Sequence, residues 1–370
     1  MAGEGLDCLV VPDPANMNYL TGYDGWSFYT PQCVVVPADG DILLATRQMD
    51  ANGARLTTFL DDGAILGFPD DYVQQRDRHP MDWIAEQLRS RGLLQGRVGV
   101  EMDAYFFSVR AYEALKAGAG GAELVDSHEA VNWVRSIKSP AELDVMRTAA
   151  QIVQVAMSVA YETIRPGVRQ CDAAAAIQAA QARGTEEAGG DYPAIVPMLP
   201  TGPGTSTPHL TWSDAPFREG EPTILELAGA RRRYHCPMSR TLMLGQPSKR
   251  LADTAKITIE GLETALATVR PGVTCEQVEA AWREHIARYG LEKTSRIGYS
   301  VGLAYPPDWG EHTMSLRPGD TTPLEPNMTF HMIVGMWMDD WGFEASETFV
   351  VTDRGAECLC SFPRELRVIA

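Results

Sequence analysis

A glutamate at the end of an apolar run is the first residue of this chain whose setting suggests chemistry. Glu226 follows PTIL at 222–225, which we expect to be an interior strand. An ionised carboxylate is costly to bury unless a positive charge faces it. One interpretation is that Glu226 faces a cationic ligand and acts on it as nucleophile or base. The other is that Glu226 forms an ion pair with one of the arginines at 231–233; both interpretations stay open.

One histidine stands in a loop that suits proton transfer. His209 lies in TPHLTW at 207–212, after TGPG at 201–204, whose glycines and proline restrict the direction of the loop. Imidazole changes its charge near neutral pH, so His209 is a candidate general acid and base. The alternative is a structural histidine.

Two further glutamates, Glu344 and Glu347, lie in GFEASET at 342–348, which we expect to be a strand. Successive side chains of a strand point to opposite faces, so residues 344 and 346 share one face and 347 lies on the other. The two glutamates are therefore not expected to face the same site.

Aromatic side chains are concentrated in two segments. Aromatic faces attract delocalised cations by about 0.5–2 kcal/mol per contact and exclude water. We expect them to line a cation-binding site, with plain core packing as the alternative. The residues are Trp26, Phe28 and Tyr29 near the N-terminus, and Trp337 and Trp341 near the C-terminus.

Tyr234 and His235 follow Glu226 by eight and nine residues. This spacing suits a hairpin in which both line the same site, or a hairpin without ligand contact.

Composition excludes several classes of partner. The 370 residues include 49 Asp and Glu against 32 Lys and Arg, a formal net charge of −17. This charge repels phosphate backbones and anionic headgroups, so we expect neither a nucleic-acid nor a membrane partner. Seven scattered cysteines without CxxC spacing indicate reduced thiols in a cytoplasmic protein.

Residues 1–130 read as an α/β domain. Strands are predicted at 9–11, 32–36, 42–45, 65–68 and 98–101, and helices at 81–91 and 111–117. Because a strand-like run begins so early, we expect a helix to precede the printed sequence.

The second domain, 136–370, begins with a strong helix-start signal. Ser139, Pro140 and Glu142 form a capping pattern that predicts a long helix to residue 163. The chain then repeats itself, since IRPGV at 164–168 and VRPGV at 269–273 each separate two helical segments, the second ones being 171–183 and 275–289. The offset of 105 residues predicts two related α/β halves.

This organisation and several short motifs occur together in one known family. The motifs are RPG at 165–167 and 270–272, SRT at 239–241, GL at 302–303 and PNMTF at 326–330. In their order, and over essentially the whole chain, the sequence resembles the pita-bread family of creatinase, aminopeptidase P, prolidase and methionine aminopeptidase. The resemblance implies a creatinase-like α/β domain followed by a pita-bread catalytic domain.

The metallopeptidases of this family hold two divalent ions with two aspartates, a histidine and two glutamates. Their pattern falls at Leu227, at Pro237 or Met238, near Tyr299, near Ile333 and around 346–347. Leucine, proline, methionine and isoleucine side chains offer a hard cation no suitable ligand atom. We therefore expect neither a metal nor another cofactor.

Longer strings point to a metal-free branch. They are MNYLTGYDGWSFY at 17–29, TGPGTSTPHLTW at 201–212, YHCPMSRT at 234–241, YPPDWGE at 305–311 and WMDDWG at 337–342. In them the chain resembles the ectoine hydrolases more closely than creatinase. The resemblance implies hydrolysis of the cyclic amidine of ectoine or 5-hydroxyectoine to N-acetyl-2,4-diaminobutyrate.

The resemblance also implies roles for single residues. His209 stands at the position of the histidine that creatinase and the metallopeptidases share, and Glu347 precedes a strand as the family's last glutamate does, so both are expected to be catalytic with Glu226. Tyr299 is expected to donate a hydrogen bond to the substrate. Arg240, or backbone N–H groups at 202–204, is expected to bind its carboxylate.

In creatinase-like dimers, the N-terminal segment reaches into the partner's site. We therefore expect a homodimer in which Trp26 and Phe28 complete the second subunit's pocket. Two other functions stay open: a creatinase-like or Xaa-Pro dipeptidase-like hydrolase of another small substrate, and a pita-bread module that binds peptides or proteins without catalysis.

Overall fold

The computed structural model describes residues 1–369 and divides the chain into two units, Met1–Val134 and Arg135–Ala370. The expected domain limits, residues 130 and 136, lie on either side of this division. Within residues 1–369, no helix is both long enough and apolar enough to cross a membrane.

The first unit is built on one mixed sheet of six strands in the order β4-β3-β2-β1-β5-β6. Strand β1 pairs antiparallel with β2 and parallel with β5, and its side chains are fully buried. The strands are β1 (Cys8–Val11), β2 (Cys33–Pro37), β3 (Leu43–Arg47), β4 (Ile65–Phe68), β5 (Arg97–Val100) and β6 (Glu123–Asp126). The helices are α1 (Pro14–Thr21), α2 (Ala51–Thr57), α3 (Pro80–Ser90), α4 (Val109–Gly118) and α5 (Ala130–Arg135).

The five predicted strands and two predicted helices of this unit are confirmed within two residues at each end. The sequence interpretation missed β6, α1, α2 and α5. Three of these helices have eight residues or fewer, and β6 has four, so each is too short for its apolar period to be recognised.

Between residues 135 and 369, the second unit contains four α-helices and two sheets. The helices are α6 (Pro140–Thr163), α7 (Gln170–Arg183), α8 (Lys249–Thr268) and α9 (Cys275–Ala287). One sheet has the order β14-β8-β7 and the other β10-β9-β11-β12-β13. The strands are β7 (Pro222–Arg231), β8 (Tyr234–Leu244), β9 (Gly298–Val301), β10 (Gly310–Ser315), β11 (Thr329–Trp337), β12 (Gly342–Thr352), β13 (Gly355–Cys358) and β14 (Arg367–Ile369).

Helix α6 begins where its sequence predicts. The Ser139 side chain accepts from the N–H of Glu142, and the Glu142 carboxylate accepts from the N–H of Ser139. This capping box satisfies two N–H groups that the first turn leaves unpaired, so the helix start is encoded locally.

The two predicted repeats adopt the same turn. Gly167 and Gly272 have φ angles of 87° and 86°, a region that glycine enters without steric cost. Their N–H groups donate to Phe217 O and Leu324 O, both at 2.9 Å. The second unit is thus made of two related halves, α6–α7 with β7–β8 and α8–α9 with β9–β13.

Each half buries one face of its strands beneath its helices. In the first half, Leu225, Leu227 and Met238 pack in a cluster with residues of α6 and α7. In the second, Phe343 and Phe349 pack in a cluster with residues of α8 and α9. The opposite face of the strands, which we call the polar face, carries side chains able to do chemistry.

Side-chain hydrogen bonds join β8 to β12 across the polar face. Thr241 Oγ1 donates to Glu344 O at 2.8 Å, and Thr348 Oγ1 donates to Pro237 O at 2.6 Å. These bonds join the sheets of the two halves and continue the polar face from one to the other.

Candidate active site

Two buried glutamates come together on the polar face. Glu226 on β7 lies directly opposite Ser239 on β8. The N–H of Ser239 donates to Ser346 Oγ on β12 at 2.6 Å, and Glu344 shares the face of Ser346 because it lies two residues away on the same strand. Glu226 is 4% exposed and Glu344 is fully buried. We call Glu226 and Glu344 the carboxylate pair.

The carboxylate pair is poorly compensated. Burial, then the negative charges of Glu344 and Asp308, raise the pKa of Glu226 well above its usual range. Burial raises the pKa of Glu344 to about 7, against the opposing effects of the Ser239 hydroxyl and the Lys293 ammonium. Within residues 1–369, neither carboxylate oxygen of Glu344 has a hydrogen-bond partner. Two such groups share a proton near neutral pH and strongly favour an incoming cation.

A chain of hydrogen bonds runs beside the pair. His331 on β11 joins Ser346 Oγ through Nε2 at 2.7 Å and the Tyr299 hydroxyl through Nδ1 at 3.1 Å. Trp309 Nε1 donates to the same hydroxyl at 2.9 Å. Burial lowers the pKa of His331 to about 3, so the ring is neutral, with one donor and one acceptor nitrogen.

The tautomer of His331 decides what Tyr299 can do. When Nδ1 carries the proton, the Tyr299 oxygen accepts from His331 and Trp309, and its own O–H is left to donate elsewhere. Burial and then the charge of Glu226 raise the pKa of Tyr299 well above its usual range, so this hydroxyl lies near the Glu226 carboxylate. In the other tautomer, Tyr299 donates to His331.

His331 and Lys293 belong to this site and were missed by the sequence interpretation. Residues 331, 333 and 335 alternate along β11 onto the face of Glu344 and Ser346. That alternation is the signal that would have identified His331, two residues before Ile333. Lys293 lies in a loop, outside any element or motif, and no local pattern identifies it.

Lys293 occupies the end of the site near Glu344. Its Nζ donates to Gly335 O at 2.8 Å and lies 3.8 Å from the centre of the Trp337 ring. Burial lowers the pKa of Lys293 to about 8, and the charge of Glu344 opposes this shift. Trp337 is therefore near the carboxylate pair, and one of its faces carries Lys293.

The structure does not bring Glu347 to this site, which corrects our choice between the two C-terminal glutamates. Glu347 Oε1 accepts from Arg240 Nη2 at 2.7 Å and from Arg364 Nε at 2.9 Å, on the face of β12 opposite Glu344. Glu344 takes its place on the polar face. The alternation argument separated the two correctly, but the wrong member was chosen because the facing elements were unknown.

Arg240 is likewise committed within the protein. Its five N–H groups donate to Glu347 and to four backbone oxygens, which are Pro363 O, Ser239 O, Ser346 O and Phe362 O. A guanidinium has five donors. The expectation that Arg240 binds a substrate carboxylate is therefore corrected.

Other predicted residues take no part in the hydrogen-bond chain beside the carboxylate pair. His209 is exposed, in a turn after Thr207, and its ring makes no hydrogen bond or ion pair with another residue of 1–369. Tyr234 donates to Glu142 at 2.8 Å, in the first turn of α6. Trp341 packs in the core cluster beneath α8 and α9, with the Arg250 guanidinium 4.6 Å from its ring centre.

His235 is fully satisfied by backbone groups. Its Nε2 accepts from the N–H of Ala194 at 2.8 Å, so Nδ1 carries the proton and donates to Arg233 O at 2.8 Å. Burial lowers its pKa to about 4. The ring is a neutral structural element and has no nitrogen left for substrate.

The predicted N-terminal aromatic residues differ in exposure. Trp26 and Tyr29 are 58% and 63% exposed, whereas Phe28 is 5% exposed. The Phe28 ring centre lies 5.0 Å from both Trp26 and Phe106. Phe28 is thus a core residue of the first unit, and Trp26 and Tyr29 are surface residues of that unit.

The side chains present do not fit a pair of divalent ions. Leu227 and Met238 pair across β7 and β8 on the helix-covered face, and Ile333 faces Ser346. Across residues 1–369, no group of three His, Cys, Asp or Glu side chains is placed to hold a metal ion.

Comparison with known proteins identifies the family. Residues 1–137 match the creatinase/prolidase N-terminal domain, and residues 144–353 match metallopeptidase family M24. The chain is 47% identical to a protein named ectoine hydrolase from Halomonas elongata, covering 100% of this chain and 94% of that protein. It is 44% identical to the uncharacterized hydrolase/peptidase y4tM of Sinorhizobium fredii, with the same coverage.

Solved structures agree on the fold. A prolidase from Thermococcus sibiricus superposes with a TM-score of 0.86 at 20% identity, covering 100% of this chain and 96% of that one. These comparisons confirm the predicted fold class, which is a creatinase-like α/β domain followed by a pita-bread domain of two related halves. They also confirm the resemblance to the ectoine hydrolase branch and the assignment as a hydrolase. The chain belongs to metallopeptidase family M24, with the N-terminal domain of the creatinases and prolidases.

Proposed function

We propose that this protein hydrolyses the cyclic amidine of ectoine or 5-hydroxyectoine to N-acetyl-2,4-diaminobutyrate without a metal ion. The observation that carries the proposal is the carboxylate pair, Glu226 and Glu344, which is buried and forms no salt bridge within residues 1–369. The 47% identity to a protein named ectoine hydrolase supports this choice of substrate.

An amidinium matches this pair in charge and in hydrogen-bond donors. Its charge is delocalised over two nitrogens and one carbon, and its N–H groups can donate to the unpaired oxygens of Glu344. A cation beside both carboxylates lowers their pKa values, so binding favours ionised Glu226 while the proton that the pair shares stays on Glu344. The charge of the substrate thus offsets the free-energy cost of burying two acidic groups.

The reaction adds water across a carbon–nitrogen bond. Water attacks the ring carbon between the two nitrogens, giving a tetrahedral adduct, and one carbon–nitrogen bond then breaks. The leaving nitrogen takes up a proton and becomes the amine, while the other nitrogen stays in the acetamide. Glu226 acts as the base toward this water, or attacks the carbon itself before water releases the product.

The proton for the leaving nitrogen has two candidate sources in this proposal. Glu344 is next to Glu226, and its pKa of about 7 suits a group that gives and takes a proton at neutral pH. His209 remains a candidate acid and base that acts from its exposed turn. Tyr299 donates a hydrogen bond to the adduct when His331 carries its proton on Nδ1.

The proposal includes a cytoplasmic homodimer. Trp26 and Tyr29 are exposed, and in this proposal they complete the pocket of a second subunit. Phe28 supports Trp26 from within the core of its own unit.

Incubation of metal-free protein with ectoine, followed by NMR, tests the function. We expect N-acetyl-2,4-diaminobutyrate to appear at the same rate with and without a chelator. Glu226→Gln should lower kcat by about 10²–10⁴, the range for a lost acid or base. Failure to turn over ectoine and its hydroxy form, or stoichiometric manganese, zinc or cobalt needed for activity, would contradict the proposal and favour a dipeptidase-like reaction.

A further inference from the structure

Lys293 is a half-buried cation that no acidic side chain of residues 1–369 pairs with in a salt bridge. Within residues 1–369 its ammonium forms no salt bridge; it donates to Gly335 O at 2.8 Å and lies over the Trp337 ring at 3.8 Å. An ammonium has three N–H groups. One N–H group donates to Gly335 O, and the ammonium also contacts the face of the Trp337 ring. At least one N–H group is therefore left to donate to a ligand.

Several polar atoms of this site have no hydrogen-bond partner. Within residues 1–369, Trp337 Nε1, Ser239 Oγ and both carboxylate oxygens of Glu344 are buried without a hydrogen-bond partner. Gly335 pairs with Glu344 in the β11–β12 register, so the carbonyl that holds Lys293 lies beside the strand residue that carries the carboxylate. The donors of Lys293 and Trp337 therefore lie beside the acceptor oxygens of Glu344.

Such an arrangement suits a ligand with one negative and one positive group. We propose that Lys293 and Trp337 bind the carboxylate of a cyclic amidine amino acid while the carboxylate pair holds its amidinium. The inference rests on the proposed function and adds the residues that recognise the acidic end of the substrate. It also defines the substrate class as zwitterionic amidines.

The guanidinium that the sequence favoured for the substrate carboxylate is already occupied. Arg240 uses all five donors within the protein. Arg296 donates to Ser315 Oγ at 3.1 Å and lies 4.5 Å from the Tyr299 ring centre. Lys293 is the cation whose charge acts on Glu344, which places it beside the reacting pair.

The role of Trp337 follows from its contact with Gly335. A Cβ atom on Gly335 would overlap the six-membered part of the Trp337 ring, so the ring lies directly over the strand at this position. The indole thus supports the ammonium on its face, and its N–H is a second donor to the carboxylate.

The test compares two substrates in matched variants. The substrates are ectoine and 2-methyl-tetrahydropyrimidine, which is the same ring without its carboxylate. In Lys293→Met, kcat/KM for ectoine should fall by about 10- to 150-fold, the value of a hydrogen bond to a charged group. For the compound without carboxylate, kcat/KM should fall by about 10- to 150-fold less than for ectoine, because losing the Lys293 charge beside Glu344 affects both substrates equally. Lys256→Met, at an exposed lysine of α8, is the control.

Equal losses for both substrates in Lys293→Met would overturn the inference, because the residue would then act without reading the carboxylate. Should that variant fail to fold by circular dichroism, Trp337→Phe decides, since it keeps the aromatic face and removes the Nε1 donor. Its ratio of activities on the two compounds should shift by about 5- to 10-fold toward the compound without carboxylate, and an unchanged ratio would overturn the inference.

The test also separates this inference from the function on which it rests. Wild-type turnover of ectoine with no effect of either variant would overturn the carboxylate receptor and leave the function standing. Absence of wild-type turnover on both compounds would overturn both proposals together.

Discussion

Replacing Glu347 tests whether this glutamate supports the fold or takes part in the reaction. Glu347 is 1% exposed and accepts hydrogen bonds from Arg240 and Arg364 at 2.7 and 2.9 Å. Glu347→Ala leaves Arg240, which is fully buried, without the carboxylate that pairs with it in residues 1–369. The structure therefore predicts a loss of stability and no direct loss of chemistry.

The size of the loss follows from what Arg240 keeps. Removing one partner of a buried ion pair costs about 3–5 kcal/mol. Four backbone oxygens still accept from Arg240, so we expect the lower end, about 3 kcal/mol. For a unit of this length, this corresponds to a fall in Tm of about 6–12 °C.

Urea unfolding and steady-state kinetics at 25 °C measure the two effects separately. Glu347→Ala should keep kcat within about tenfold of wild type, since no lost group faces the substrate. Glu357→Ala is the matched control: it removes a solvent-exposed pair with Arg147 and should cost about 1 kcal/mol or less. Glu344→Gln should do the reverse of Glu347→Ala, lowering kcat by about 10²–10⁴ with little loss of stability.

One result would refute this reasoning. If Glu347→Ala keeps the stability of wild type and loses more than about 10² in kcat, Glu347 acts in the chemistry and the assignment of Glu344 is wrong.

Three other predictions test single residues. His209→Ala should lower kcat by about 10²–10⁴. The free energy of unfolding should change by at most about 0.5 kcal/mol, because the ring makes no hydrogen bond or ion pair within residues 1–369. Retention of more than about a tenth of kcat would argue against a role in proton transfer. Trp26→Ala and Glu226→Gln proteins, mixed under confirmed subunit exchange, should regain activity in heterodimers, and no recovery would indicate self-contained sites. The pKa of His235 is about 4 in the folded protein against an ordinary 6.5, so below pH 6.5 the unfolded chain binds a proton that the folded protein does not. The stability present above pH 6.5 is therefore lost progressively as the pH falls to 4. Between pH 7.5 and 5, wild type should lose about 2 kcal/mol more free energy of unfolding than His235→Gln, and equal losses would show that His235 does not titrate in this way.

Part of the architecture was predictable because its signals are local. The capping box of Ser139 and Glu142 sets the start of α6 through atoms three residues apart. The repeated RPG turns identify two related halves because Gly167 and Gly272 adopt a backbone conformation that other residues avoid. Short elements such as α2 and β6 carry too few residues for such a signal.

The membership of the site was harder to predict. Alternation along β12 separates Glu344 from Glu347 without showing which face meets the other half of the domain. His331 and Lys293 are far from Glu226 in sequence, and only the packing of β8 against β12 and of β11 beside them brings these groups together.

The amino-acid order was thus enough to establish the family, the two-part architecture and a glutamate, Glu226, whose burial calls for a cation. Tertiary structure alone decided that Glu344 stands beside it and that Glu347 and Arg240 neutralise each other elsewhere. The reason is physical: capping, turns and strand alternation depend on neighbours a few residues away, whereas the compensation of a buried charge depends on whichever side chains folding brings close.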